Sequence, residues 1–289
     1  MALLALLLIA VQTPDTGLSA RIAARIAATP ARAVGVYFRD LTTGDSVLVD
    51  AQLRFHAAST MKVPVMIQLY RDRDVGQLSL GDSILVTNTF KSIVDSSPYQ
   101  LDKADDSDST LYLRVGGKAS IRELVELMET VSSNLATNLL IARVGAPRAN
   151  ATAHALGADS IVVLRGVEDG KAYRAGRSNT TTARDLGMVL AAIAQGRAAS
   201  PAACREMLEI LGRQQFKEGI PAGLPPGTRV FHKTGWIGSV VYHDAAIVEQ
   251  PDGRRYVLVV LTGGIQKDED AYKLVSDVSR MVYAANTRR

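Results

Sequence analysis

Ser59-Thr60-Met61-Lys62 sets a hydroxyl and an ammonium three residues apart, so on a helix they share one face, one turn from each other. In that arrangement the lysine lowers the cost of turning the serine into an alkoxide nucleophile. Two further clusters follow in the chain. Ser132-Ser133-Asn134 opens the apolar run Leu135-Ala136-Thr137-Asn138-Leu139-Leu140, a pattern that also suits a helix cap. Lys233-Thr234-Gly235 offers a cation to attract a carboxylate, a hydroxyl to bind it, and a glycine that lets backbone approach closely. Taken singly, these are a surface pair, a cap and a turn. Their occurrence together, in this order, is what points to an active site.

The ordered set S-x-x-K, S-D-N and K-T-G is the signature of class A β-lactamases and penicillin-binding proteins. Over residues 15–285 the chain resembles that superfamily of penicillin-recognising serine hydrolases, with Ser133 in place of the middle aspartate. The resemblance implies that Ser59 is acylated, that Lys62 accepts or steers its proton, and that Ser132 relays a proton to the leaving nitrogen. Asn134 would hydrogen-bond the substrate amide, while Lys233 and Thr234 hold its carboxylate. Gly235 would admit the backbone, and the N–H of Trp236 would join that of Ser59 in an oxyanion hole. The middle residue of the second motif supports local structure in these enzymes, so Ser133 leaves the chemistry of its neighbours in place.

The stretch from Leu164 to Asn179, rich in glycine and charge, separates a β-lactamase from its rivals. In the resembling β-lactamases an arginine is followed two residues later by a glutamate that orients the hydrolytic water. Here Arg165 is followed by Gly166, Val167 and then Glu168, one place late. Asn179 stands where an aspartate paired to the loop arginine is expected, and Asp169-Gly170-Lys171-Ala172 supplies no counterpart of the assisting asparagine. Glu168 is the candidate general base and Asp169 a weaker one. The displaced spacing predicts poor delivery of Glu168 to the groove, which keeps a D,D-peptidase acting on peptidoglycan stem peptides open as the alternative function. A non-catalytic penicillin-binding domain is a further alternative, disfavoured by retention of all three motifs, and Ser132 in place of a tyrosine argues against an esterase. Where the family places an arginine for the substrate carboxylate, the chain has Tyr242 and His243, leaving that contact absent or to Arg229. His243 beside Asp244 could form a charge pair, although a strand histidine is more often structural. His232 points away from the Lys233 face of its strand.

The elements that must position these groups alternate in a readable way. Helical spacing over 15–28 is followed by strands at Val34–Phe38 and Ser46–Val49 around a Thr43-Gly44-Asp45 turn. From Thr60 to Leu190 the pattern is mostly helical, with helices expected over 63–70, 121–130, 134–144 and 182–195, the last capped by Thr180 or Thr181. Strands return at 229–233, 240–248 and 256–262, and a helix over 271–285 closes the chain. The fold class is therefore α+β: an antiparallel sheet flanked by terminal helices (15–56 and 219–289) with an all-helical domain (57–218) inserted. Residues 1–14 read as a leader, because Met1 to Val11 is almost wholly apolar yet too short to span a bilayer. That leader predicts an exported, periplasmic or secreted protein. With 289 residues, 47% apolar, the chain can bury a substantial core. Its net charge of +4 carries no basic run, which excludes a nucleic-acid partner. No His, Cys or Asp cluster has metal-ligand spacing, so neither metal nor organic cofactor is expected, and the partner is a small β-lactam or a peptidoglycan peptide bound by a monomer. The single Cys204 reads as a small buried residue, and the acids between Asp95 and Asp108 as a solvated loop.

Overall fold

A computed structural model describes residues 16–287, so the expected leader lies outside the described residues. Five antiparallel strands form the main sheet, in the spatial order Ser46–Val49, Ala33–Asp40, Arg255–Gly263, Val241–Glu249, Arg229–Ile237. The two-residue period of a strand sorts their side chains between two cores. Val36, Phe38, Leu258 and Val260 face the terminal helices Thr16–Ala27 and Asp268–Asn286, where they meet Leu18, Ile22, Leu274 and Val278. Tyr37, Val257, Val259 and Leu261 face the other way, onto a larger core shared with the helices of the chain's middle. A sheet covered on both faces needs apolar residues at every position, and Tyr256 to Gly263 are accordingly all buried. Among the described residues no helix is long and apolar enough to cross a membrane.

The helix Lys62–Asp74 runs through the middle of the helical part, with Val63, Val65, Met66, Ile67 and Leu69 all inaccessible to solvent. Its proline, Pro64, lies in the first turn, where no intrahelical N–H bond is lost. Around it pack the helices Ile121–Thr130, Asn134–Val144 and Ala146–Ala155. The helix Ala183–Ala194 spans both parts, since it packs on the sheet and on the helix Pro201–Leu211.

Three expectations are corrected. The helix after the Thr-Thr-Thr run is capped by Thr182, whose hydroxyl accepts from the Asp185 N–H, because Thr180 and Thr181 are engaged in a short strand with Phe55–His56. The strand carrying the third motif continues to Ile237, so Lys233-Thr234-Gly235 lies within it and not at its end. The acidic stretch is only partly solvated. Asp106 and Asp108 are buried, and the Asp106 carboxylate accepts from the backbone N–H groups of Asn134 and Leu135 and from the Tyr112 hydroxyl. A carboxylate at the first turn of Asn134–Val144 satisfies donors that the helix itself cannot. Cys204 is buried as expected.

Candidate active site

The second motif sits at the start of Asn134–Val144 for two separable reasons. Ser133 is its N-cap, its hydroxyl accepting from the Ala136 N–H, and Asp106 from a distant loop covers the remaining N–H groups. Ser133 and Asp106 together thus give the first turn the capping oxygens it needs. Ser132 precedes the helix at φ 61°, a left-handed conformation that a residue with a Cβ adopts at a cost. Ala58, beside Ser59, has φ 45°, and Glu168 has φ 61°. Among the described residues, three of the five non-glycine residues with positive φ therefore adjoin or belong to the expected catalytic set, where strain is characteristically concentrated. At Ala58 the cost is offset by the His56 ring, whose Nδ1 accepts from the Ala58 N–H at 3.0 Å.

Ser59 lies in a tight helical turn, Ala58–Met61, that runs straight into Lys62–Asp74. Lys62 is fully buried, and its ammonium bonds to the second motif instead of the Ser59 hydroxyl: to Ser132 O at 2.7 Å, Ser132 Oγ at 3.0 Å and Asn134 Oδ1 at 3.0 Å. Burial, and next the charge of Lys233, hold Lys62 well below the usual lysine range, against the pull of Asp106, Glu129 and Glu168. Lys233, also fully buried, donates to the same Ser132 Oγ at 3.0 Å and to Thr234 O at 3.0 Å. Burial lowers its pKa to about 8, opposed by Glu129 and Asp244. One hydroxyl thus sits between two amines, a direct route for a proton. Gly235 brings the strand onto the nucleophile turn: a Cβ there would stand 3.2 Å from the Ser59 nitrogen, the Ala58 Cβ and the Thr60 Cγ2. Only glycine combines a strand backbone with that approach.

Ser59, Ser132, Asn134, Glu168 and Thr234 share a groove of about 640 Å³. Trp236 stands on its rim, half exposed, its indole N–H donating to Asp268 at 3.0 Å. Lys62 and Lys233 lie behind this lining, so ligand would meet the hydroxyls of Ser132 and Thr234 with the lysine charge behind them.

The loop does bring Glu168 to the groove. Its Oε1 accepts from Asn134 Nδ2 at 2.7 Å, putting this carboxylate on the same amide that binds Lys62. Half burial, joined by Asp106 and Asp105, raises its pKa above the ordinary value, against the bonds from Asn134 and the Asp102 backbone. Asp169 is elsewhere: it is buried, caps the short helix Gly170–Arg174 and accepts from Ser92 Oγ and the Ile93 N–H, each at 2.9 Å. Asn179 replaces the expected carboxylate–arginine pair by clasping backbone, accepting from the N–H groups of Leu164 and Arg165 and donating to Arg165 O. Arg165 then turns its guanidinium to Arg177 O and Gly166 O.

Asn138, not anticipated from sequence, fixes the loop to the second-motif helix. Its amide accepts from the Val167 N–H at 2.7 Å and donates to Val167 O at 3.1 Å. A Cβ on Gly166 would lie 2.4 Å from Asn138 Oδ1, which explains the glycine. The signal was present: Asn134 and Asn138 stand one turn apart on one face. Two contacts that the sequence offered are not made, while His243 is structural as expected. Arg229 is exposed and paired with Glu249 at the far end of its strand, away from the groove. Asp244 pairs not with His243 but with His232 Nδ1 across the strands at 2.9 Å. His243 is fully buried against His56 O, and burial lowers its pKa to about 4.

This arrangement of sheet, helices and three motifs defines a serine β-lactamase and penicillin-binding protein type of fold and site. The chain belongs to the beta-lactamase enzyme family, whose sequence model matches residues 17–285. A β-lactamase of Bacillus licheniformis is 27% identical over 264 residues, covering 87% of this chain and 78% of that protein. Among solved structures, a point mutant of PBP-A, captured as its acyl-enzyme complex with penicillin G, is 30% identical with a TM-score of 0.82, over 96% of this chain and 99% of the other. A β-lactamase from Sphaerobacter thermophilus is 29% identical with a TM-score of 0.80, over 94% and 98% of the two chains.

Proposed function

We propose that the protein is a serine hydrolase that opens β-lactams through an acyl-enzyme on Ser59 and releases the product with water oriented by Glu168. Lys62, its pKa lowered by burial and by Lys233, takes the Ser59 proton as Oγ attacks the lactam carbonyl. The developing oxyanion is met by backbone N–H groups of Ser59 and Trp236. When the carbon–nitrogen bond breaks, Ser132 gives its proton to the nitrogen and is reprotonated by Lys62 across 3.0 Å. Water then attacks the ester, its proton passes to Glu168, and Ser59 leaves with a proton returned. The net change is one water added across the amide.

The observation that carries this reading is the Glu168–Asn134 bond at 2.7 Å inside the groove that holds Ser59. A carboxylate so placed supports a complete cycle and not acylation alone. One observation favours the D,D-peptidase reading: burial, joined by Asp106 and Asp105, raises the Glu168 pKa, which disfavours the carboxylate form that a base requires. The test is turnover of a chromogenic cephalosporin by purified protein, with mass spectrometry of rapidly quenched samples. A transient adduct on Ser59 that decays as product appears supports the β-lactamase. A lasting adduct on Ser59 supports the peptidase, and an adduct on another serine rejects both.

A further inference from the structure

Glu129 takes no part in the chemistry above, yet among the described residues it is the one carboxylate buried with both oxygens unpartnered. It lies on the last turn of Ile121–Thr130, three residues before Ser132. Its side chain is fully buried, and neither oxygen has a hydrogen-bond partner among the described residues. Only its backbone is engaged, Gln214 Nε2 donating to Glu129 O at 2.6 Å. A buried carboxylate survives without donors only when it is neutral or faced by positive charge. The charges facing it are Lys233, from the strand Arg229–Ile237, and Lys62, from the helix Lys62–Asp74.

Those two ammonium groups, both fully buried behind the groove lining, converge on one oxygen, Ser132 Oγ, at 3.0 Å each. Two positive charges that close repel, so one must lose its proton unless a negative charge is enclosed with them. The other carboxylates acting on the pair are already occupied. Asp106 binds the helix N-terminus and Tyr112, Glu168 binds Asn134, and Asp244 binds His232 and the Ile220 N–H. Glu129 alone is unattached.

We propose that Glu129 is the counter-charge of this lysine pair, a positioning residue that keeps Lys233 protonated while Lys62 stays neutral. The enclosed set then carries no net charge. Lys233 donates to Ser132 Oγ and presents positive charge toward the substrate carboxylate, and Lys62 is free to accept the Ser59 proton. This rests on the acylation reading above. The protonation order is consistent with it. Burial raises Glu129 to about 7, with Lys233 and Lys62 pulling it down, and Lys233 loses its proton at about 8. On acidification Glu129 itself takes up a proton, so the counter-charge operates on the alkaline side of that step.

Glu129→Gln mimics the protonated acid, so its effect should appear only where Glu129 would be ionised. The experiment follows the rate of Ser59 acylation by penicillin against pH. Wild type should fall off above about pH 8; the variant should match it near pH 6 and lose its rate at least one pH unit earlier, ending about tenfold lower on the alkaline side. Glu129→Asp keeps the charge and should restore the later fall. Should Glu129→Gln not fold, Glu129→Met removes the charge with an apolar chain of similar length and carries the same expectation. An unchanged alkaline limb, or a loss equal at every pH, overturns the inference while the acylation reading stands. A wild type that never labels Ser59 overturns both.

Discussion

One wall of the groove carries Lys233, Thr234 and Trp236 on a sheet strand whose neighbour holds it by an unbroken ladder from Arg229↔Glu249 to Ile237↔Val241. The opposite wall, the loop from Leu164 to Asn179 with Glu168, has only a five-residue helix and an isolated bridge at Val162↔Thr180 near its ends. Side chains hold it: Asn179 and Asn138 clasp its backbone, Asp169 caps its short helix and Arg165 ties its ends. A ladder of backbone bonds persists through most substitutions, whereas a clasp built from side chains is lost with one. If acylation depends on the first wall and deacylation on the second, the two steps should separate under mutation.

The largest separation is expected from Glu168→Gln. It removes the proposed base while keeping size and the bond from Asn134, so acylation should persist and the acyl-enzyme accumulate. General-base catalysis contributes about 10²–10⁴-fold, and deacylation should slow by that order in a burst experiment. Wild-type deacylation should also fall with pH from a point above the ordinary carboxylate range, because a group of raised pKa gains its proton earlier on acidification. The variant should lack that limb. Equal turnover by the two proteins would remove Glu168 from the mechanism.

Asn138→Ala tests the clasp. It strips the acceptor from the Val167 N–H and one of two donors from Val167 O, which keeps the Tyr99 hydroxyl at 3.3 Å, and an unsatisfied polar group costs roughly 1–3 kcal/mol. Glu168, next in the chain, should lose its position, and deacylation should slow by about 10–100-fold while the acylation rate changes little. Single-turnover kinetics would show both. Equal slowing of both steps would mean that the loop wall also shapes the acylation site.

What was legible in the chain follows the same division. The strands Ser46–Val49 and Arg255–Gly263 and the helices Ile121–Thr130 and Asn134–Val144 announce themselves through local periodicity, and their observed bounds differ from expectation by at most one residue. The motif residues were legible because each motif is a short contiguous run, although the bonds among them pass from one motif to another. Asp106 was not, since an acid in an acidic run looks solvated until the helix start it caps, 28 residues away, is brought against it. Glu129 was hidden similarly: on an amphipathic helix a glutamate reads as surface, and its partners lie 67 and 104 residues distant in sequence (129 − 62 and 233 − 129). Asn138 was within reach, one turn from Asn134, but an apolar run around it made it look like core.

The smallest expected effect concerns charge at the mouth of the groove, where both walls contribute alike. Asp105 and Glu168 line one side, Glu218 and Asp268 another, and among the described residues lining it there is no lysine or arginine. The positive charge that would draw in a substrate carboxylate, on Lys233, lies behind the surface, reaching ligand only through Ser132 and Thr234. A ligand should therefore be drawn by one carboxylate near Thr234 and repelled by any further anionic group. Among penicillins that differ only in an acyl side chain bearing an amino group, no charge or a carboxylate, kcat/KM should fall in that order. Exposed charges interact by about 1 kcal/mol or less, so each step should be a few-fold. Salt should shrink the spread, since these acids face solvent and screening at 0.15 M acts over about 8 Å. Glu218→Gln, remote from the reacting atoms in sequence and role, should narrow the difference between amino and carboxylate side chains while leaving the uncharged penicillin unaffected. If instead the carboxylate-bearing penicillin were the best substrate, the buried lysines would dominate the potential at the mouth, and the acids lining it would be bystanders.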